Sequence, residues 1–203
     1  SGDASVFPAI IKYVEDRKNA KQDILKGDVR SILLVEDSPR MYSILLPLIY
    51  REIMYQTKNL INRSLSESSR LLHLRARPKI LLTPNYETAQ NFFKKYKQNM
   101  VGIISDVRFP KNGIKNANAG HELAEWIRKS DPSIPILLQS TDMKNKALAS
   151  KNSTDFLHKN SPTLLNDLRQ YIIENFGFGD FIFRTKKTKE IDRASNIKEL
   201  IRL

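Results

Sequence analysis

The chain has 203 residues, of which 34 are basic and 22 acidic, so its net charge is +12, and it contains no cysteine. The lack of cysteine excludes disulfides and thiolate metal sites and fits a reducing, cytoplasmic compartment. No apolar run approaches the roughly eighteen residues of a membrane span, so the sequence predicts no membrane partner, and its length suits one medium domain with appendages or two small domains.

The positive charge is spread along the chain rather than gathered in one patch. Its densest clusters are RTKKTK at 184–189 and FFKKYK at 92–97. Neither cluster lies in a recognisable DNA- or RNA-binding motif, and the cluster at 92–97 is better explained as a solvated helix face. Nucleic acid is therefore the less favoured partner.

The first predicted element is a helix at 5–18, with Ser5 as its N-cap and Pro8 in its first turn. Four apolar side chains recur along it at helical spacing. They are Phe7, Ile10, Ile11 and Val14. We expect this stripe to pack on the core, on the C-terminal tail or on a second copy, because burying each side chain is worth roughly 1.5–3 kcal/mol.

From residue 29 onward, short apolar runs alternate with amphipathic stretches. The apolar runs predict strands at 29–35, 78–85, 100–107, 134–141 and 154–160. The amphipathic stretches predict a long helix that begins at Pro39 and further helices at 86–99, 119–130, 143–151 and 161–176. Strands that are apolar throughout and alternate with helices indicate a parallel sheet covered on both faces, which is an α/β doubly wound fold.

Polar residues close several of these strands, and ligands bind at the carboxyl ends of such sheets. Glu36 and Asp37 end the first strand, Asp106 ends the third, Ser140 the fourth and Lys159 the fifth. Three converging carboxylates need a compensating cation, and ligands that are all oxygen favour a hard ion such as Mg²⁺. A lysine and a hydroxyl opposite that ion could hold a phosphoryl group, and an aspartate could accept it covalently.

Four stretches at these strand ends resemble, in order, the active-site segments of the response-regulator receiver domain. They are LLVEDSP at 33–39, IISDVRFP at 103–110, PILLQST at 135–141 and DFLHKN at 155–160. The resemblance covers about residues 29–176. It implies a flavodoxin-like sheet with strand order 2-1-3-4-5 and a regulatory switch, not a metabolic enzyme, that assists its own phosphotransfer and dephosphorylation.

The resemblance also implies a role for each matched position. Asp106 would be the phosphoacceptor. The Mg²⁺ ligands would be Glu36, Asp37, Asp106 and the backbone carbonyl of Arg108. The phosphate-binding and switch residues would be Ser140, Lys159 and Phe156. A histidine kinase or phosphotransfer protein would supply the phosphoryl group, and a homodimer is compatible with the resemblance.

The sequence departs from the family in several places. Asp37 and Asp106 are 69 positions apart, because the first helix of the receiver region is extended and is trailed by residues 56–77. The loop KNGIKNANAG at 111–120 is longer than usual, and the short segment after Ser140 predicts a fourth helix that lacks about a turn. We expect the nucleophile and metal site to transfer most securely from the family, and the output partner least.

Residues 1–28 and 177–203 flank the predicted receiver region. The first segment is predicted to be a helix and linker at the tail of a preceding domain. In the second, DFIFR and KEIDRA predict a hairpin before a helix at Asn196 that leads to a downstream domain of the same chain. The segments SVFPAIIKYVEDR, NSPTLLNDLR and FGFGDFIFR resemble a region ahead of phosphoenolpyruvate-synthase-like or pyruvate-phosphate-dikinase-like modules. Phe181, Ile182 and Phe183 are also expected to be packed.

Two other interpretations stay open. The net charge would suit a degenerate receiver that acts as a basic interaction module for nucleic acid or an acidic protein surface. The aspartyl-phosphate chemistry would also suit a phosphatase, but no general base is evident near Asp106 beyond the metal-site acids, so this interpretation ranks last.

Overall fold

The computed structural model describes residues 6–63, 77–177, 181–184 and 190–194, with side chains described at 7–59 and 77–177. The elements are, in chain order, α1 (Val6–Leu25), β1 (Ser31–Val35), α2 (Pro39–Arg63), β2 (Lys79–Thr83), α3 (Tyr86–Tyr96, followed by a 3₁₀ turn at Lys97–Asn99), β3 (Met100–Asp106), β4 (Phe109–Lys111), β5 (Ile114–Asn116), α4 (Ala119–Ser130), β6 (Ile136–Ser140), α5 (Asn145–Lys151), β7 (Asp155–His158), α6 (Leu164–Asn175), β8 (Phe181–Arg184) and β9 (Glu190–Ala194).

The main sheet has five strands in the order β2-β1-β3-β6-β7, and every neighbouring pair is parallel. Since β4 and β5 form a separate hairpin, this order is the 2-1-3-4-5 order predicted from the sequence. Each of the five predicted strands is present, shortened by at most two residues at either end. The prediction of a doubly wound α/β fold is confirmed.

The sheet is buried on both faces because alternate residues of a strand point to opposite sides. In β1, Leu33 and Val35 join a core cluster that includes residues of α3, α4 and α5. Ile32 and Leu34 join the cluster that includes residues of α2 and α6. The carboxyl ends of all five strands therefore lie at one edge of a rigid, fully packed sheet.

Helix α1 continues to Leu25, seven residues beyond its predicted end, and packs on β2 and α2. Its predicted apolar stripe is exposed, with exposed fractions of 74% for Phe7, 51% for Ile10, 66% for Ile11 and 44% for Val14. The expectation that this stripe packs on the core was therefore wrong. Ala9, Asp16, Ala20 and Ile24 are the buried residues of the helix.

Buried polar bonds explain why α1 turns this other face inward. The Asp16 carboxylate is fully buried and accepts hydrogen bonds from the Ile80 backbone N–H at 2.9 Å, the Tyr50 hydroxyl at 2.9 Å and Arg77 Nη2 at 2.6 Å. Lys79 Nζ lies 3.4 Å from the same carboxylate. A buried carboxylate must be paired in this way, so Asp16 fixes the orientation of α1, and the apolar stripe has to face outward.

The segments outside the sheet agree only partly with the sequence predictions. The predicted loop at 111–120 contains the antiparallel hairpin β4–β5, and α5 begins at Asn145, two residues later than predicted. The predicted C-terminal hairpin is present as β8 and β9. The side chains of Phe181–Phe183 and the helix predicted at Asn196 lie outside the described residues.

Within the described ranges, no helix combines the length and the hydropathy that a membrane crossing requires.

Candidate functional site

Five polar side chains of the predicted site lie at the carboxyl ends of adjacent strands. Glu36 and Asp37 follow β1, Asp106 is the last residue of β3, Ser140 is the last residue of β6, and Lys159 follows β7. The parallel pairing of β1 with β3 and of β3 with β6 brings these ends side by side. The sheet itself thus positions the residues that the sequence placed at one edge.

The three carboxylates form one cluster. Oxygen atoms of Glu36, Asp37 and Asp106 all lie within 4.8 Å of one another. Glu36 is buried, whereas Asp37 and Asp106 are partly exposed. A cation that entered from solvent would therefore meet two accessible carboxylates above a buried one.

Lys159 supplies the nearest positive charge. Its Nζ lies 2.6 Å from Glu36 Oε2 and 3.0 Å from Asp106 Oδ2, and its side chain is 6% exposed. The Lys159 backbone N–H donates to the carbonyl of Ser140 at 2.9 Å, which continues the β6–β7 pairing beyond the strands. The lysine is therefore fixed at both its backbone and its ammonium group.

The cluster still lacks positive charge. Burial raises the pKa of Glu36, the ammonium of Lys159 opposes that rise, and the neighbouring Asp106 carboxylate adds to it, so the net direction of the pKa shift is upward. One lysine between two carboxylates does not fully offset desolvation and like-charge repulsion. A further cation would do so.

The hairpin β4–β5 brings a second lysine to the cluster. Lys115 Nζ lies 2.9 Å from Asp37 Oδ2, and the Lys115 side chain is 49% exposed. The other oxygen of this carboxylate, Asp37 Oδ1, is buried and has no hydrogen-bond partner among the described residues. Lys115 was not predicted as a site residue, because residues 111–120 were predicted to be a loop and the hairpin that turns Lys115 toward Asp37 was not.

The donor set fits a hard divalent ion. All three side chains offer oxygen, no cysteine or histidine is among them, and Asp37 Oδ1 is an unpartnered buried acceptor in the part of the chain that the structure describes. Mg²⁺ prefers such oxygen ligands. Arg108 lies in the connection between β3 and β4 with its side chain exposed, and the ligand role of its carbonyl stays a prediction.

Ser140 is oriented by two donors. Its Oγ accepts hydrogen bonds from the Asp142 backbone N–H at 3.1 Å and from Asn145 Nδ2 at 3.0 Å. Because both contacts use the oxygen as acceptor, the hydroxyl hydrogen is left to donate to another group. The Oδ1 atom of Asn145 also lies 3.2 Å from His121 Nε2. No sequence signal pointed to Asn145, since asparagine is common near the start of a helix.

Phe156 lies on β7, opposite Leu138 of β6. It is half-buried and packs against the core cluster that contains α3, α4 and α5 residues. The structure thus places Phe156 on the same face of the sheet as these helices, and its role as a switch residue stays a prediction.

Comparisons with known proteins find similar solved structures but no similar sequence. No family model matches the sequence, and no curated protein matches it. A response regulator receiver domain protein from Clostridium thermocellum has 17% identity and a TM-score of 0.50, over 72% of this chain and 94% of the other. A response regulator from Chloroflexus aurantiacus has 19% identity, a TM-score of 0.45, and 71% and 97% coverage of the two chains. The receiver domain of a histidine kinase from Syntrophus aciditrophicus has 19% identity, a TM-score of 0.46, and 73% and 92% coverage. The match to the Clostridium thermocellum protein, together with the strand order of the main sheet, shows the flavodoxin-like fold of receiver domains.

Proposed function

We propose that this chain is a phosphoacceptor receiver domain in which Asp106 accepts a phosphoryl group in a Mg²⁺-dependent reaction. One observation carries the proposal: the Asp106 carboxylate lies within 4.8 Å of the Glu36 and Asp37 oxygens and 3.0 Å from Lys159 Nζ. The proposed nucleophile, Asp106, is partly exposed and lies between two acids that could hold a cation and a lysine that could bind phosphate.

The chain's own groups account for the transfer. An oxygen of the Asp106 carboxylate attacks phosphorus, the bond from phosphorus to the donor breaks with its electron pair going to the donor, and an aspartyl phosphate forms. The Val107 backbone N–H donates to Asp106 Oδ1 at 2.8 Å and so fixes the carboxylate plane. Glu36, Asp37 and Asp106 would hold Mg²⁺, which when bound supplies positive charge to the phosphoryl oxygens.

Two further residues have roles after transfer. Lys159 stays beside Asp106 and neutralises a phosphoryl oxygen. The free hydroxyl hydrogen of Ser140 donates to another such oxygen, and a shift of Ser140 would be felt at α5 through Asn145. A histidine kinase or a phosphotransfer protein would be the donor, and the output would pass to neighbouring domains of the same chain.

The folding unit of this receiver extends beyond the region that resembles the family. The resemblance starts at residue 29, yet α1 contributes Ala20 and Ile24 to one core cluster and Ala9 to the other. We therefore include α1 in the domain. A downstream phosphoenolpyruvate-synthase-like or pyruvate-phosphate-dikinase-like module remains a proposal that rests on sequence resemblance.

Phosphorylation can be tested directly. The protein is incubated with Mg²⁺ and acetyl phosphate, and its intact mass is measured with and without chelator. We expect a gain of one phosphoryl group that requires Mg²⁺, is absent in Asp106→Asn, and persists in Asp142→Asn, a matched control that removes an exposed acid of the same edge. Identical behaviour of the wild type and Asp106→Asn would overturn the proposal and favour a degenerate receiver.

A further inference from the structure

A cavity of about 880 Å³ lies beside the edge strand β2, between α1, the first half of α2, and α3. Ligand sites for small molecules have volumes of about 300–1,000 Å³. The apolar part of its wall includes Ala9 and Tyr13 of α1, Leu46 of α2 and Phe92 of α3. Because α1 forms one of its walls, the cavity depends on the helix that lies outside the region resembling the receiver family.

The cavity exists because α1 covers only part of the β2 edge. The Lys79 N–H donates to the backbone carbonyl of Arg30, and the Thr83 carbonyl accepts from the backbone N–H of Glu36. The odd-numbered residues of β2 therefore pair with the β1 side. The main-chain groups of Ile80 and Leu82 therefore point away from the sheet. Asp16 takes the N–H of Ile80, but no described residue hydrogen-bonds the N–H of Leu82, which lines the cavity.

The lining carries a set of uncompensated positive charges. Arg17, Lys18 and Lys21 come from α1, and Lys95 comes from α3. Within the described ranges, no carboxylate lies at ion-pair distance from these four, and Lys95 instead lies 5.0 Å from the ring centre of Tyr96. Two acids also reach the cavity, Glu36 and Asp37, and both belong to the carboxylate cluster, where Lys159 and Lys115 contact them. The inner wall of the cavity is thus apolar, and its rims on α1 and α3 carry positive charge.

We propose that this cavity binds a small organic anion, with its aromatic or aliphatic body between α1, α2 and α3. The acid group of this ligand lies toward Arg17, Lys21 and Lys95, and a ligand acceptor takes the Leu82 N–H. The ligand is a carboxylate, sulfonate or phosphate ester of drug-like size, because the walls offer apolar contact and the lining offers positive charge. This proposal does not depend on phosphorylation of Asp106.

A pair of fluorescent probes tests the proposal in the intact chain. Anilinonaphthalene sulfonate has an apolar body with one negative charge, and phenylnaphthylamine is its uncharged analogue. We expect the anion to bind at one saturable site. We expect Arg17→Gln combined with Lys21→Gln to weaken the anion by about tenfold or more, as for the loss of charge-assisted contacts, and to leave the uncharged probe unchanged.

Three control variants identify where the probe binds. Lys144→Gln combined with Lys146→Gln removes the same charge from exposed positions away from the cavity and should not affect either probe. Ala9→Trp fills the cavity wall and should abolish binding of both probes, with folding checked by circular dichroism. Ile11→Gln disrupts the exposed stripe of α1, does not touch the cavity lining, and should have no effect.

The opposite results would overturn the proposal. Full binding of the anion to a folded Ala9→Trp variant would show that the cavity is not the site. Loss of binding in Ile11→Gln would assign the probe to the exposed stripe of α1. If Lys144→Gln combined with Lys146→Gln weakened anion binding as much as Arg17→Gln combined with Lys21→Gln, the effect would be one of net charge alone. Asp106→Asn should bind the probe as the wild type does, which separates this test from that of phosphorylation.

Discussion

Two clusters of buried charge lie at opposite ends of the sheet, and they differ in how well their charges are compensated. At the amino-terminal end of β2, Asp16 accepts hydrogen bonds from Tyr50, Arg77 and the Ile80 N–H, with Lys79 close by. Every oxygen of this carboxylate has a partner. Cations and donors thus fully surround Asp16, and the same cations also pair with Glu15 and Asp23 near the surface of α1.

At the carboxyl end, three acids share two lysines. Lys159 bridges Glu36 and Asp106, the partly exposed Lys115 reaches Asp37, and Asp37 Oδ1 is left without a partner among the described residues. Compensated buried charge holds elements together, whereas uncompensated charge is suited to binding an additional ion. The comparison predicts that the first cluster governs stability and the second governs binding.

The largest effect should come from Asp16→Ala. Removing this acid takes the bidentate partner from Arg77 and the acceptor from the Tyr50 hydroxyl, whereas Lys79 keeps its ion pair with Asp23 at 2.7 Å. Breaking a buried pair costs about 3–5 kcal/mol. We expect a loss of this size in the free energy of unfolding, measured by urea denaturation. Glu125→Gln, a change at an exposed acid, should alter it by less than about 0.5 kcal/mol. A loss below about 1 kcal/mol for Asp16→Ala would contradict the structural role of this cluster.

The second largest effect should be stabilisation by Mg²⁺. An ion that binds only the folded state at 100 times its dissociation constant adds about 2.7 kcal/mol. Thermal unfolding with increasing Mg²⁺ should show this gain in the wild type. Asp37→Ala should lose the gain and, because one of three repelling carboxylates is gone, should be no less stable than the wild type without metal. A Mg²⁺ gain of wild-type size in Asp37→Ala would place the ion elsewhere.

A smaller effect should appear in the pH dependence of the metal-free protein. Burial raises the pKa of Glu36 above its ordinary value. Between the pKa of Glu36 in the unfolded state and its higher pKa in the folded state, the folded state therefore binds more protons. The contribution of Glu36 to stability therefore falls as pH rises from the unfolded pKa through the folded pKa. Relative to Glu36→Gln, the wild type should lose stability with rising pH in urea denaturation between pH 4 and 7. A difference that is flat, or that grows with pH, would contradict the raised pKa.

The smallest effect should come from Lys115→Ala. This lysine is half-exposed, so its pair with Asp37 is worth at most about 1 kcal/mol. Because its ammonium competes with a cation for the same carboxylate, its removal should tighten Mg²⁺ binding by up to about fivefold at low salt, measured by calorimetric titration. Lys146→Ala is the control for net charge. Weaker binding in Lys115→Ala than in this control would show that the hairpin supports the ion instead.

The sheet could be predicted from the sequence because its signal is local. The runs 32–35 and 136–138 are apolar at every position, and such runs bounded by polar residues indicate buried strands. The positions of Glu36, Asp106 and Lys159 followed from strand ends and parallel order alone. The distances between their side chains did not, since these depend on register and rotamers.

Two sequence predictions were incomplete or wrong. The orientation of α1 depends on hydrogen bonds between residues far apart in the chain, and the loop at 111–120 contains a turn signal that was not used. On α1, the apolar spacing pointed to Phe7 and Ile11, but the buried Asp16 pairs with residues that lie more than 30 positions away. In the loop at 111–120, Asn112 and Gly113 both adopt positive φ. An Asn-Gly pair of this kind is typical of a tight hairpin turn, and attention to it would have predicted β4–β5 and so placed Lys115.

Coverage of β2 by α1 has a consequence for self-association. An open strand edge offers unpaired N–H and C=O groups to which another chain can add a strand. Asp16 takes the Ile80 N–H, and α1 covers part of the β2 edge, so both hinder strand addition there. The opposite edge of the main sheet is β7. That strand has only four residues and begins with the exposed Asp155. A short edge with a charge resists the addition of a second copy, so each edge of the main sheet carries a feature that hinders the addition of another strand.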